Sequence, residues 1–216
     1  MAATTRPTTR KVPKQDRSKA MVEALLEATT RILLREGYEL LSTNRVAAEA
    51  GVSIGSLYQY FPSKEALLHG VMLRWSEGTM VKVMEFYETM QTADLVTGLK
   101  RVVKATIEVS RENPKLHRVL VEQVPKVGAL DALEQIYRRF EDLFTLWLEL
   151  HVDELEVDDP SMAAHFVLRS LLSLTDHALL YRPELLDSTR FARNCERLVL
   201  GYLVPSALAA QPRRRR

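Results

Sequence analysis

The 216-residue sequence predicts an all-α fold of about nine helices. Three observations lead there. Apolar residues recur at three- and four-residue spacing through most of the chain. Capping residues, two of them directly ahead of a proline, stand where those patterns begin. No segment shows sustained two-residue alternation bounded by hairpin turns, so no strand is expected.

Taken in order, the first helix spans Ser18 to Glu36, where Val22, Leu25, Leu26, Ile32 and Leu33 form the apolar face. Gly37 supplies its left-handed stop. Two short helical segments follow as far as Tyr60, after which Pro62 and Ser63 punctuate the chain. Ser63 is the natural N-cap of a long pattern that runs to about Met90. Further starts are marked by Thr92 ahead of a segment at 94–111, by Asn113-Pro114, by Asp131 within 129–151, by Asp159-Pro160 and by Ser188. A proline at the first helical position loses nothing, because its missing N–H would have had no partner there.

Composition narrows the function classes. Hydrophobic residues make up 46% and charged residues 27%, which suits a chain with a sizeable buried core. The longest apolar runs are only a few residues, far below the roughly 20 a spanning helix requires, so no membrane partner is expected. The first residues carry no apolar signal core, and Pro7 and Pro13 break any amphipathic targeting helix, which leaves the cytoplasm as the expected location. Cys195 stands alone, unable to form an internal disulfide, and fits a small buried apolar residue. The five histidines show no i, i+4 pair, so neither a metal nor a cofactor is expected.

The net charge of +2 is strongly segregated. Residues 1 to 19 carry +5, the run Arg213 to Arg216 carries +4, and the remainder is −7. Two basic tails on a negative body suggest a polyanionic partner. The first tail, residues 1–17, is expected to be a disordered arm that lies along DNA phosphates or in the minor groove.

Residues 43–62 hold a tight set of mutual constraints. Val46, Ala47 and Ala50 share one face of a short helix, Gly51 permits a positive φ, and Val52 anchors the turn inward. Ser53 caps a second short helix in which Leu57 and Phe61 face the core. Small Ala47 lets the two helices cross closely. This is a helix-turn-helix with glycine in its turn.

Here the chain resembles the TetR family of transcriptional regulators. The resemblance rests on Glu36-Gly37-Tyr38, on Ser42-Thr43-Asn44-Arg45-Val46-Ala47, on Ala50-Gly51-Val52-Ser53, and above all on the run from Gly55-Ser56-Leu57-Tyr58-Gln59-Tyr60-Phe61-Pro62 to Leu67. It covers residues 18–75; beyond about residue 80 it is one of architecture. The resemblance implies that Ile54, Gly55 and Ser56 approach base edges behind the capping Ser53. It further implies that Tyr58 and Gln59 reach bases or phosphates, that Tyr60 and Lys64 meet phosphates, and that Thr43, Asn44 and Arg45 add contacts from the preceding helix.

Elementary physics supports two of these placements. Gly55 leaves no side chain where the backbone of a groove-bound helix comes close. Lys64 stands in the first turn of a helix, where the macrodipole disfavours a cation unless a phosphate docks beside it. The alternative for Lys64 is a solvated lysine, and for Tyr58 and Tyr60 a core role that their i, i+2 spacing allows to at most one of them. Charge adds little, since residues 20–75 hold five cations and six anions.

A rival motif, Gly51-Val52-Ser53-Ile54-Gly55, matches the G-x-S-x-G elbow of serine hydrolases. That elbow turns from a strand into a helix above a sheet, whereas here a helix precedes it, so no enzyme is expected. Toward the C-terminus, Tyr137, Phe140, Phe144 and Trp147 share one helical face, as do Met162, Phe166, Arg169, Ser173 and His177. Each stripe reads as core or as the wall of a ligand pocket, with Arg169, Ser173 and His177 in need of partners if buried. A third set, Leu168, Leu171, Leu172, Thr175 and Leu179 with Phe191, Cys195, Leu198 and Tyr202, could form a four-helix dimer seam or an internal core.

The organisation expected is an arm at 1–17, a DNA-binding domain at 18–75, a ligand-binding and dimerisation domain at 76–205 and a basic tail at 206–216. The expected activity is that of a homodimeric repressor on double-stranded DNA, released by a small-molecule effector. The alternatives are a helical protein-interaction module and an activator of similar build without small-molecule control.

Overall fold

A computed structural model describes residues 14–124 and 130–209. Among them are ten α-helices and no strand: α1 (Lys14–Glu36), α2 (Thr43–Ala50), α3 (Ile54–Tyr58), α4 (Lys64–Met90), α5 (Leu95–Glu112), α6 (Pro114–Gln123), α7 (Leu130–Glu149), α8 (Pro160–Tyr181), α9 (Thr189–Leu203) and α10 (Pro205–Ala209). The helix beyond the nine expected is α10, which takes up the start of the predicted tail. At the other end α1 begins at Lys14, four residues ahead of Ser18. The rest of both basic tails lies outside the described residues.

Most boundaries follow from side chains that complete the first helical turn. Ser42, Ser53, Asp94, Asn113, Asp159 and Ser188 each accept a hydrogen bond from the backbone N–H three residues on. Ser63 does the same for Ala66 N at 3.2 Å. Each such cap satisfies a donor that the helix itself cannot. α5 starts one cap later than the sequence predicts: Asp94, not Thr92, accepts from Thr97 N.

The chain divides into two compact units between Val71 and Met72. In the N-terminal unit, Leu25, Ala28 and Ile32 of α1 bury against a core that includes Val46, Leu57, Leu67 and Leu68. Gly70 keeps this core tight, for a Cβ there would lie 2.7 Å from Leu26 Cδ2 and 2.9 Å from Phe61 Cε1.

The C-terminal unit is built on α5, α7, α8 and α9. Its core joins Leu99 and Val103 to Trp147 and Leu148, and these to Ala164, Leu171, Cys195 and Val199. Trp147 is fully buried and fits only because Gly98 has no side chain; a Cβ at 98 would stand 2.3 Å from the indole ring. The indole N–H donates to Met90 O at 3.3 Å. Leu168, Leu171, Thr175 and Leu179 are buried in this same core, so the proposed seam on α8 is used within the chain, and Cys195 with it. On α9, Leu198 and Tyr202 remain exposed.

Candidate functional site

In the N-terminal unit, Ser42 opens α2 and Gly51 closes it in the left-handed region at φ 68°. Val52 N then donates to Ala47 O at 3.0 Å, which folds the turn back onto α2. Ser53 accepts from Ser56 N at 3.1 Å and starts α3. Leu57 is fully buried and fixes the roll of this short helix. The opposite side carries Ser53, Ile54, Gly55, Tyr58 and Gln59, all exposed, with Ser56 and Tyr60 half-buried. Tyr58 and Tyr60 therefore do not share one fate: Tyr58 is 52% exposed, and its hydroxyl lies 3.2 Å from Thr43 Oγ1. That contact joins the first residue of α2 to the last of α3. Around Gly55 there is open space, the nearest atom to an added Cβ being Ser53 Oγ at 3.9 Å.

The cations of this unit are largely engaged with its own groups. Arg45 pairs with Glu36 and donates to Leu40 O at 3.0 Å. Arg31 and Arg35 both reach Glu49 at 3.1 Å. Hydrogen bonds first from Arg35 and then from Arg31 hold the Glu49 carboxyl below its ordinary range. Lys64 sits with Nζ 4.4 Å from the centre of the Tyr38 ring, a cation–π arrangement, and is half-buried. The Tyr38 hydroxyl donates to Glu65 Oε1 at 3.3 Å, and burial followed by the Glu65 charge pushes the phenol up to about 12. In the sequence Tyr38 only completes the Glu36-Gly37-Tyr38 pattern. Its role as a seat for Lys64 depends on a contact 26 positions away, which no local periodicity reveals.

In the C-terminal unit a cavity of about 330 Å³ opens between α4, α5, α6, α7 and α8. Among the described residues seven aromatic side chains line it, including Trp75, Phe86 and Tyr87 of α4 and Tyr137 of α7. Phe140, Phe144 and Trp147, the first predicted stripe, stand on its wall. Phe166, Arg169, Ser173 and His177 do not line it. The face of α8 that does is Leu168, Leu172 and Asp176, one residue out of step with the stripe read from sequence. Phe166 is instead 55% exposed, Ser173 and His177 are exposed, and Arg169 is satisfied within the protein. Its guanidinium donates to Glu141 at 2.7 Å and to both oxygens of Glu134, and it stacks on Tyr137.

At one end of the apolar lining lie His117 and Asp176. His117 is 6% exposed and packs against Trp75 with ring centres 4.9 Å apart. Its Nε2 is 3.3 Å from Asp176 Oδ1, an ion-pair distance without hydrogen-bond alignment, so Oδ1 is left without a donor and Nδ1 without a partner. Burial, then the charge of Asp176, raises the Tyr137 phenol above its ordinary value. Among the described residues no lysine or arginine lines the cavity. Neither residue of this polar end stands out as a pocket group in the sequence, because each is a single polar position inside an apolar helix pattern.

Comparison with known proteins gives two family matches. A family model described as bacterial regulatory proteins, tetR family, matches residues 25–71. A second, described as tetracyclin repressor-like, C-terminal domain, matches residues 94–203. The HTH-type transcriptional regulator YuxN of Bacillus subtilis is 24% identical over 131 residues, which are 61% of this chain and 43% of YuxN. The nucleoid occlusion factor SlmA of Haemophilus ducreyi is 31% identical over 51% of this chain and 54% of its own length. The chain thus spans about half the length of these curated relatives. A solved TetR-family regulator from Mesorhizobium loti superposes with a TM-score of 0.66 at 22% identity, covering 86% of this chain and 97% of that one, which establishes a shared fold.

Proposed function

We propose that this chain, which belongs to the TetR family of bacterial regulatory proteins, is a homodimeric repressor that binds double-stranded DNA in the cytoplasm and leaves it when a small molecule fills the C-terminal cavity. Membership in that family places it among regulators, not enzymes. The DNA-binding domain is assigned to residues 18–75 and the ligand-binding and dimerisation domain to 76–205.

The observation that carries the reading is the exposed side of α3. Ile54, Gly55 and Ser56 stand at its N-terminus, where a recognition helix meets base edges, and only Ser53 Oγ, at 3.9 Å, would touch a Cβ at Gly55. Tyr58, Gln59 and Tyr60 follow. Thr43, Asn44 and Arg45 open α2 on the side that Thr43 shares with Tyr58. Lys64 begins α4, where a phosphate would meet both the ammonium and the free N–H groups of the first turn. With Arg45 paired to Glu36, its use on DNA requires exchange of a carboxylate for a phosphate.

For the dimer, α8 and α9 offer an exposed apolar face. Phe166, Leu174 and Tyr181 lie on α8, with Leu198 and Tyr202 on α9, and the rings of Phe166 and Tyr202 meet edge to face at 6.3 Å. Apolar area of this kind is what a two-fold interface covers. Release follows if the occupied cavity favours a dimer state whose recognition helices no longer match the spacing of two half-sites.

The test is selection of bound sequences from a random duplex library, followed by titration of the selected site at two salt concentrations. A palindromic consensus whose affinity falls with salt and with an added effector is the expected result. Failure to enrich any sequence would favour a protein-interaction module, and enrichment without ligand response would leave a regulator without effector control.

A further inference from the structure

The polar end of the cavity selects among effector chemistries, and the selection rests on the reading of that cavity as the effector site. We propose that the effector is an apolar molecule carrying a single protonated amine, whose ammonium docks on Asp176 while its hydrocarbon or aromatic body lies along the aromatic walls.

The charge inventory of the lining points this way. Asp176 is the one carboxylate among the described lining residues, and no lysine or arginine accompanies it there. Its Oδ1 lacks a hydrogen bond although His117 Nε2 is near. A buried carboxylate oxygen without a donor is costly, and a ligand that brings N–H groups removes that cost. An ammonium offers three donors and so satisfies Asp176 without displacing His117. A cation also gains from the ring faces around it, since seven aromatics line the cavity. The raised Tyr137 phenol reports the same negative potential, with Asp176 the second cause after burial.

An anionic ligand meets the opposite conditions. Any positive charge on His117 is already opposed by Asp176 at 3.3 Å, so a carboxylate or phosphate would enter beside a like charge with no lysine or arginine among the described lining residues to receive it. A neutral alcohol could donate one hydrogen bond to Oδ1 but would leave the carboxylate charge unpaired.

Both tryptophans of the chain, Trp75 and Trp147, line the cavity, so the full-length protein reports occupancy by its own fluorescence. The experiment titrates decylamine, decanol and decanoate, three probes of one chain length with positive, neutral and negative heads, near neutral pH. Decylamine is expected to bind about tenfold or more tightly than decanol, as suits a hydrogen bond to a charged group, with decanoate weakest. Asp176→Asn should weaken decylamine far more than decanol and so erase the advantage of the amine. A circular dichroism melt establishes that this variant folds, and the ranking on the native protein stands independently of it. Equal affinity for amine and alcohol, tightest binding of decanoate, or an amine advantage that survives Asp176→Asn would each overturn the cationic assignment while the cavity remains a ligand site. No fluorescence response to any of the three would overturn the cavity as a site, and the effector reading with it.

Discussion

The two candidate sites, one in each unit of the chain, use their polar groups in opposite ways. In the N-terminal unit, charge is spread over the surface and closed into local pairs: Arg31 and Arg35 on Glu49, Arg45 on Glu36, Lys64 on Tyr38. In the C-terminal unit, the groups that matter are few, enclosed and incompletely paired, with His117 and Asp176 at the end of an apolar cavity. The first arrangement suits a surface whose partner is a large polyanion, because exposed pairs in water are weak and readily exchanged. The second suits a small partner, because each unpaired atom in an apolar site penalises every molecule that fails to match it.

Gly98 and Gly55 stand in opposite surroundings, and one substitution made at both puts that difference to the test. Gly98→Val should cost about 3 kcal/mol or more, since the new side chain has to displace the buried ring of Trp147. A thermal or denaturant melt measures it, and an unchanged melting point would mean that the C-terminal core yields where it is described as closed. Gly55→Val should leave stability within about 0.5 kcal/mol, because the space around it is open. Its effect should fall on DNA instead, with affinity for the selected site reduced about tenfold or more, which is roughly 1.4 kcal/mol. Retained affinity would show that α3 does not enter a groove in the manner proposed.

A smaller effect separates the two kinds of carboxylate. Asp94 is held below its ordinary range chiefly by the backbone N–H of Thr97, and Glu49 by the guanidinium groups of Arg35 and Arg31. In both cases the folded-state value is depressed. The stability each contributes is therefore present above the unfolded value and is lost as pH falls through the folded one. Asn is also a good cap, so Asp94→Asn should keep the start of α5 while removing part of the acid-side loss of stability. Added salt should weaken the Glu49 contribution and leave that of Asp94 nearly intact, because screening acts on exposed charge pairs more than on a short hydrogen bond. Acid titrations of the melt at low and high salt would distinguish them; equal salt sensitivity would remove the contrast.

What could be read from the residues alone divides along the same line. The stops at Gly37 and Gly51 and the caps at Ser53, Ser63, Asn113, Asp159 and Ser188 depend on interactions within a few positions, and a linear pattern carries that information. The start of α5 slipped because Thr92 and Asp94 are both good caps two residues apart. On α7 the aromatic stripe was legible and lies on the cavity. On α8 it was not, because this helix is apolar on more than one side. Met162, Phe166 and Tyr181 are exposed while Leu168, Leu171 and Leu179 are buried, and periodicity alone has no means of choosing between the faces. The seat of Lys64 on Tyr38 and the meeting of His117 with Asp176 are products of tertiary packing.

The fit of Trp147 against Gly98 also constrains how this chain could change over generations. An indole and a missing side chain occupy one volume, so the two positions are not free to vary in either order. Shrinking Trp147 first enlarges the cavity and frees position 98 to accept an alanine or a valine afterwards. Filling position 98 first drives the chain through an overpacked form that has to survive before the ring is reduced. A lineage that reshapes this site for a bulkier ligand therefore has an easy order of steps and a hard one, and surviving variants should carry a small residue at 147 wherever they carry a side chain at 98.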